Sequence, residues 1–312
     1  MTQDIKRVAV IGTGVIGSSW TSYFLAHGLH VTATDPSPGA EERLRATVAS
    51  HWPVLQELGL AEGASLDNLL FVATAEEAVQ NADFVQENGP EREDLKKELF
   101  AVLDAAARPD VVLATSSSGL PVTNIQAGLK HPERVLVGHP FNPPHLIPLV
   151  EVVAGDQTGE KAVLDAINFY TAIGKKPLQV KQERLGFIAN RLQAALWREA
   201  FALLAQGSAT VEDIDLAISQ GPGLRWALTG PFLNMHLSGG AGGIAHVLKH
   251  LGPPMEVWWD DLGHVPLSDE LNAKIIQGVE DEKAGRSDED ITRKRDKALL
   301  ELLKLKNSLP EI

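Results

Sequence analysis

Residues 7–17 read RVAVIGTGVIG, and this stretch decides the fold of the first part of the chain. An apolar strand pattern ends in G-x-G-x-x-G, and a helical pattern opens directly after it. Gly12 allows a sharp turn at the strand end, and Gly14 leaves no side chain between the backbone and a bound pyrophosphate. Gly17 allows the helix to pack closely on the strand. The stretch therefore predicts a dinucleotide-binding turn, with the pyrophosphate at the helix N-terminus.

A second strand pattern at residues 30–34 ends at Asp35, about 20 positions past the glycines, where an acidic residue binds the ribose hydroxyls. Its carboxylate would also repel a 2′-phosphate, and residues 36–38 supply no arginine to hold one. We therefore expect NAD rather than NADP. Val15 and Ile16, which lie within the glycine motif, are expected at the pyrophosphate. The alternative is a structural turn followed by an incidental aspartate.

The bulk properties exclude several classes of function. The chain has 312 residues, a net charge of −13 and no cysteine, with 44% apolar and 22% charged residues. Nucleic acids and anionic membranes both need a basic surface, so neither is expected as a partner. No apolar run approaches the roughly 20 residues of a membrane span. The first strand starts at residue 7, which leaves no room for a signal peptide. We expect a cytoplasmic protein.

Strand and helix patterns alternate through the first part of the chain, which favours a parallel sheet covered on both faces. Six further strands are predicted, at Leu69–Ala73, Phe84–Gln86, Val111–Thr115, Val135–His139, Leu149–Val153 and Lys176–Val180. Three helices are predicted at Ala40–Leu58, Ala75–Gln80 and Leu95–Ala107. The turn at residues 141–144 indicates that the strands flanking it run antiparallel.

From about Gly186 apolar residues recur with helical spacing, and this pattern persists to the C-terminus. We place a domain boundary near Glu183, giving an α/β domain of residues 1–183 and an all-α domain of residues 184–312. The glycine-dense segment 221–243 is expected to form loops between helices. Residues 287–290 have the form of a capping box that starts a last helix.

His139 and Glu151 are the best candidates for proton transfer. His139 ends an apolar strand pattern, and Glu151 interrupts another, where an unpaired carboxylate would be costly. If the two strands are neighbours, the reversal between them places Glu151 opposite His139, and the carboxylate would orient the imidazole. The alternative is a buried ion pair with a structural role only.

Five motifs stand in an order that resembles the L-3-hydroxyacyl-CoA dehydrogenase superfamily: Gly12–Gly17, Thr115–Ser118, Gly138–Pro143, Leu149–Val153 and Gly186–Arg191. The resemblance implies a Rossmann-like first domain, an NAD cofactor and a helical second domain that forms a homodimer.

The same resemblance implies roles for particular residues. His139 and Glu151 match the catalytic pair, and Ser118 and Asn190 match the residues that polarise the substrate oxygen. Ser116 or Ser117 could be mistaken for Ser118. Asn190 would come from the second domain and complete the site across a cleft. The resemblance further places two residues near the nicotinamide end of the cofactor, Glu91 and Lys96.

The segment 221–231 departs from the acyl-CoA enzymes and resembles the branch that acts on small free hydroxy acids. Arg225 is a suitable bidentate clamp for a free carboxylate, although it could instead lie over Trp226 as a surface side chain. Within this branch the carnitine dehydrogenases are most similar, so the resemblance implies L-carnitine as substrate. Trp226, Trp258 and Trp259 are candidates for an aromatic site around the trimethylammonium group, or else core residues.

L-Gulonate, another small 3-hydroxy acid and a 3-hydroxyacyl-CoA remain alternative substrates, and a structural, crystallin-like NAD-binding protein is the alternative from another class. No metal is expected. His246 and His250 have helical spacing, but Val247 follows His246 where a metalloprotease motif has glutamate.

Overall fold

The computed structural model describes residues 5–309. The chain divides into two compact units, one running to Arg191 and the other from Leu192 onward. The first unit holds a β-sheet with helices, and all regular elements among the described residues of the second are helical. The predicted class, a Rossmann-like α/β domain followed by an all-α domain, is confirmed.

One sheet of eight strands forms the centre of the first unit, in the order β3-β2-β1-β4-β5-β6-β7-β8. The strands are β1 Arg7–Ile11, β2 His30–Thr34, β3 Leu69–Phe71, β4 Phe84–Glu87, β5 Val112–Thr115, β6 Val135–Pro140, β7 Leu149–Ala154 and β8 Lys176–Val180. All neighbours are parallel except β6 and β7, which run antiparallel on either side of the connection 141–148. The strand reversal indicated by residues 141–144 is therefore present.

Helices cover both faces of this sheet, which explains why inner strands such as β1 and β5 are buried along nearly their whole length. These helices are α1 Val15–Ala26, α2 Ala40–Leu58, α3 Ala75–Val79, α4 Glu93–Ala106, α5 Val122–Gln126 and α6 Glu160–Ala172. One core, with Trp20 and Phe169, lies on the face of α1, α2 and α6, and the other contains Phe100 and Ile125. The chain order reverses at β1 and β4, so the carboxyl ends of these strands border the crevice where such sheets bind ligands.

The remaining helices are α7 Ala189–Ala205, α8 Val211–Ser219, α9 Pro222–Trp226, α10 Pro231–Ser238, α11 Gly243–Asp261, α12 Asp269–Lys283 and α13 Asp288–Ser308. The segment 221–243 differs from the predicted loops because it contains α9 and α10. Each begins with a Gly-Pro pair, and proline is favoured in the first helical turn. The predicted cap at Ser287 is present and accepts a hydrogen bond from the N–H of Asp290. No helix between residues 5 and 309 combines the length and apolar character of a membrane span.

Candidate active site

The turn between β1 and α1 brings three glycines into a crowded arrangement with one open position. Gly12 adopts a φ of +84°, a conformation that L side chains rarely adopt. A Cβ at Gly17 would lie 1.9 Å from the carbonyl oxygen of Gly12, so the helix approaches the strand too closely for a side chain. A Cβ at Gly14 would meet nothing within 4 Å. The open backbone at the start of α1 fits a pyrophosphate group.

Asp35 lies directly after β2, beside this turn. Its Oδ2 accepts hydrogen bonds from the N–H and the hydroxyl of Thr13, at 2.8 and 3.3 Å, and its Oδ1 accepts one from the N–H of Ser37 at 2.9 Å. Burial raises the pKa of Asp35, but these hydrogen bonds outweigh burial and hold the pKa below its usual value. The carboxylate is therefore charged at neutral pH and lies against the glycine turn.

A buried ion pair lies at the end of β4. The Nζ of Lys96 donates to both carboxylate oxygens of Glu87, at 2.8 and 2.9 Å, and both side chains are almost fully buried. Nζ also lies 3.9 Å from a carboxylate oxygen of Glu91, so one ammonium group links two acidic residues. Sequence reasoning missed Glu87, although a carboxylate in the buried strand β4 is itself a signal of pairing.

Glu91 organises the turn that carries Ser118. Its Oε1 accepts three hydrogen bonds, from the hydroxyl of Ser117 at 2.7 Å and from the N–H groups of Ser118 and Gly119 at 2.9 and 3.0 Å. Ser117 is buried, and the hydroxyl of Ser116 donates to another side chain, whereas Ser118 is exposed. Among the three serines, Ser118 is thus the one whose side chain faces solvent.

The register of β6 and β7 pairs His139 with Glu151. The Nδ1 of His139 lies 2.9 Å from the Oε2 of Glu151, and the carboxylate is fully buried. An ionised carboxylate can only accept a hydrogen bond, so Nδ1 carries the hydrogen. In the neutral ring, Nε2 is then the nitrogen with a lone pair, able to accept a proton.

The second carboxylate oxygen of Glu151 accepts hydrogen bonds from the N–H groups of Ile188 and Ala189, at 2.9 and 3.0 Å. Because α7 begins at Ala189, the carboxylate lies at a helix N-terminus, where negative charge is favoured. Burial raises the pKa of Glu151, but the hydrogen bonds from His139, Ala189 and Ile188 outweigh burial and hold the pKa below its usual value. Glu151 is therefore charged and ties His139 to the start of α7.

Asn190 lies in the first turn of α7 and is partly exposed. It belongs to the first compact unit, whereas a boundary at Glu183 assigns it to the second domain. Before it, Gly186 and Phe187 both have positive φ, of +73° and +47°. The ring of Phe187 is buried and lies 5.5 Å from that of His139. Sequence reasoning did not find this left-handed phenylalanine, because positive φ is rare for bulky residues.

The predicted substrate residues of the second unit lie on two helices. Arg225 and Trp226 are exposed in the last turn of α9, and Trp258 and Trp259 are exposed near the end of α11. The exposed fractions are 45% for Trp226, 55% for Trp258 and 61% for Trp259. These three indoles therefore lie at the surface of the described chain.

Among residues 5–309, no three histidine, aspartate or glutamate side chains gather into a group that could hold a metal ion. The rings of His246 and His250 lie 4.3 Å apart on α11.

Several proteins are similar to this chain over nearly its full length. The L-carnitine dehydrogenase of Streptomyces coelicolor is 51% identical over 302 residues, which span 97% of this chain and 95% of that protein. The L-carnitine dehydrogenase of Pseudomonas putida is 49% identical over 300 residues, spanning 96% and 94%.

A solved structure shares the fold of both units. It is 5-formyl-3-hydroxy-2-methylpyridine 4-carboxylic acid 5-dehydrogenase, an NAD+-dependent dismutase, with a TM-score of 0.83 and 30% identity. The match covers 96% of this chain and 98% of that one.

Two family descriptions match successive parts of the chain. Residues 7–183 match the NAD-binding domain of 3-hydroxyacyl-CoA dehydrogenases, and residues 186–279 match the C-terminal domain of the same family. The order of the predicted motifs, the NAD-binding turn and the two-unit fold agree with these matches. The chain therefore belongs to the 3-hydroxyacyl-CoA dehydrogenase family.

Proposed function

We propose that this protein is an NAD-dependent L-carnitine dehydrogenase that oxidises the 3-hydroxyl group of L-carnitine to give 3-dehydrocarnitine. The similarity to L-carnitine dehydrogenases along nearly the whole chain supports the choice of substrate. One observation carries the chemistry, namely the buried His139–Glu151 pair at 2.9 Å. A carboxylate-oriented histidine is a suitable general base for the oxidation of an alcohol.

In the proposed reaction, Nε2 of His139 accepts the hydroxyl proton while the carbinol C–H bond breaks and the C=O bond forms. Bound NAD+ supplies the acceptor for the hydride. Glu151 holds the ring through Nδ1 and stabilises the imidazolium that forms. We propose that Ser118 and Asn190 hold the substrate oxygen, because Ser118 is exposed and Asn190 immediately follows the N–H groups that hold Glu151.

We further propose that the cofactor lies along the carboxyl ends of β1 and β2. Gly12, Gly14, Val15, Ile16 and Gly17 would hold its pyrophosphate, for which the open space at Gly14 is the supporting observation.

The charged carboxylate of Asp35 would bind the adenosine ribose and disfavour NADP. Glu91 and Lys96 would border the nicotinamide end. Lys96 is buried against Glu87, so its contribution would pass through Glu91, which also holds the Ser118 turn.

The second unit would recognise the two ends of the substrate. Arg225 is proposed as the clamp for the carboxylate of L-carnitine, and Trp226 as an aromatic face for its trimethylammonium group. The exposure of Trp226, Trp258 and Trp259 supports this role, since a buried indole would offer no face to a ligand.

Three further proposals concern the domain boundary, the oligomeric state and the location of the protein. We place the functional domain boundary near Glu183, between the two matched family regions. The large apolar side chains exposed on the second unit support a homodimer formed through that unit.

We also propose a cytoplasmic location, where free NAD+ is present. Fractionation of cells that express the chain would test this location.

Formation of NADH by the purified protein tests the function, with L-carnitine, L-gulonate, L-3-hydroxybutyrate and L-3-hydroxybutyryl-CoA compared at equal concentration. We expect the highest kcat/KM with L-carnitine, and far lower activity when NADP+ replaces NAD+. Preference for gulonate or hydroxybutyrate would discard the aromatic site and keep the reaction class. Activity on the thioester alone would overturn the role of Arg225. NAD+ binding without turnover of any substrate would favour the structural protein.

A further inference from the structure

Gln86 is a fully buried amide near the end of β4, in a row of the sheet that is otherwise apolar. Its register partners are Val10 on β1 and Ala114 on β5, and Ala114 in turn pairs with Leu136. A buried amide is costly unless its donors and acceptor are all satisfied. Its neighbours in the sheet are apolar, so the polar side chain at this position calls for an explanation.

Every polar group of this side chain has a partner. Its Oε1 accepts a hydrogen bond from the hydroxyl of Tyr170 at 2.6 Å. Its Nε2 donates to the hydroxyl oxygen of Ser116 at 2.8 Å and to the carbonyl oxygen of Gly138 at 3.2 Å. Gly138 immediately precedes His139, so the amide contacts the backbone that carries the proposed general base.

The network continues to the dinucleotide-binding turn. The hydroxyl of Ser116 donates to Oδ1 of Asn88 at 2.7 Å, and Nδ2 of Asn88 donates to the carbonyl oxygens of Gln86 and Ile11, at 2.9 and 3.4 Å. Ile11 immediately precedes Gly12. One set of side chains thus joins the backbone before His139, the loop that leads to Ser118, and the backbone before the glycine turn.

The direction of each hydrogen bond in this network is fixed from both ends. The carbonyl oxygens of Gly138 and Ile11 can only accept, so the amide nitrogens of Gln86 and Asn88 must face them. Ser116 then receives one hydrogen bond and donates its own, and Tyr170 donates to the remaining amide oxygen. The packing is equally restrictive, because a Cβ at Gly138 would lie 2.1 Å from the hydroxyl oxygen of Tyr170.

We propose that Gln86 is a positioning residue of the dehydrogenase reaction, which holds the backbone before His139 in place relative to the Ser118 loop and the dinucleotide-binding turn. The inference rests on the proposed function. Its physical basis is that directional bonds fix a position that apolar contacts leave adjustable, and catalysis responds steeply to displacement of a reacting group.

A matched control exists at the first residue of β6, the strand that carries His139 near its other end. Gln126 is also fully buried, and its Nε2 donates to the carbonyl oxygens of Pro132 and Val135 and to the hydroxyl of Thr158, at 3.0, 3.0 and 2.7 Å. Both glutamines therefore hold β6 by a backbone carbonyl, Gln126 at its first residue and Gln86 next to His139.

The experiment compares Gln86→Leu with Gln126→Leu by thermal unfolding, NAD+ affinity and the kinetics of L-carnitine oxidation. We expect both variants to lose Tm, and only Gln86→Leu to lose kcat, by about 10- to 100-fold, with little change in the KM for L-carnitine. Tyr170→Phe, which removes one bond and keeps the shape of the ring, should give a smaller loss of kcat. Equal kcat in the two glutamine variants would overturn the proposal. A loss of kcat in proportion to the loss of Tm in both variants would overturn it as well.

A second readout separates this proposal from the proposed function. The Nδ1 proton of His139, which is hydrogen-bonded to Glu151, should give a downfield NMR resonance. The position of this resonance depends on the geometry of that hydrogen bond. We expect it to shift in Gln86→Leu and stay in place in Gln126→Leu, whichever substrate the protein oxidises. An unshifted resonance in Gln86→Leu would refute the positioning role even if L-carnitine is oxidised.

Discussion

Glu151 stabilises the fold through its negative charge, because three hydrogen bonds are directed at its carboxylate. Folding holds its pKa below the ordinary value of 4.5. A carboxylate with a lowered pKa stabilises the fold above its unfolded pKa, and this contribution disappears as the pH falls through the folded value. We therefore expect Glu151→Gln to lower Tm at about pH 7, with the deficit shrinking below about pH 4.5. Circular dichroism melts across this range measure the difference, and a constant deficit down to about pH 3 would contradict the assignment.

The residues predicted from sequence are those with a local signature. A glycine in G-x-G-x-x-G must turn or pack closely, and a glutamate inside an apolar strand must find a partner. The surroundings of Gly17 and Glu151 could therefore be predicted from the sequence. Gln86 and Phe187 were not, because their roles depend on which strand ends and rings meet in three dimensions. Lys96 was found by resemblance, but its burial against Glu87 could not be read from spacing.

At the scale of elements, the approach to α7 fixes the geometry around Glu151. Gly186 holds a φ of +73°, and Gly207 holds +72° just past the end of the same helix. An alanine at either position costs about 1–2 kcal/mol in this conformation. Thermal unfolding of Gly186→Ala and Gly207→Ala should show similar losses. Only Gly186→Ala should also lose kcat, because it displaces the N–H groups that hold Glu151; retained kcat in that variant would contradict the account.

Two elements were predicted with their bounds correct, helix Ala40–Leu58 and strand Lys176–Val180. The helix buries one face, whose apolar residues recur with helical spacing, and the strand lies at the edge of the sheet with Val180 as its buried residue. No helix was predicted at Glu160–Ala172, although its buried Val163, Ala166 and Tyr170 have helical spacing. The two short helices in the glycine-dense segment are too brief to show a period, so the loops predicted there were wrong in part.

At the scale of the molecule, many large apolar side chains of the second unit are exposed. Phe232, Val257 and Leu237 are 81%, 66% and 64% exposed. Exposed apolar patches of this kind mark association surfaces. Light scattering after size-exclusion chromatography should give twice the mass of the chain. A mass equal to one chain over the working concentration range would exclude the homodimer.

Substitution of His139 tests its proposed role as the general base. The rate of NAD+ reduction with L-carnitine as substrate should fall about 100-fold or more in His139→Gln, because the general base is lost. NAD+ should still bind to this variant. His131→Gln is the matched control, since His131 pairs with Glu133 at 3.3 Å just before the other end of β6, where both side chains are exposed. We expect near-normal turnover of L-carnitine by the His131 variant and almost none by the His139 variant. Near-normal turnover by His139→Gln would contradict it.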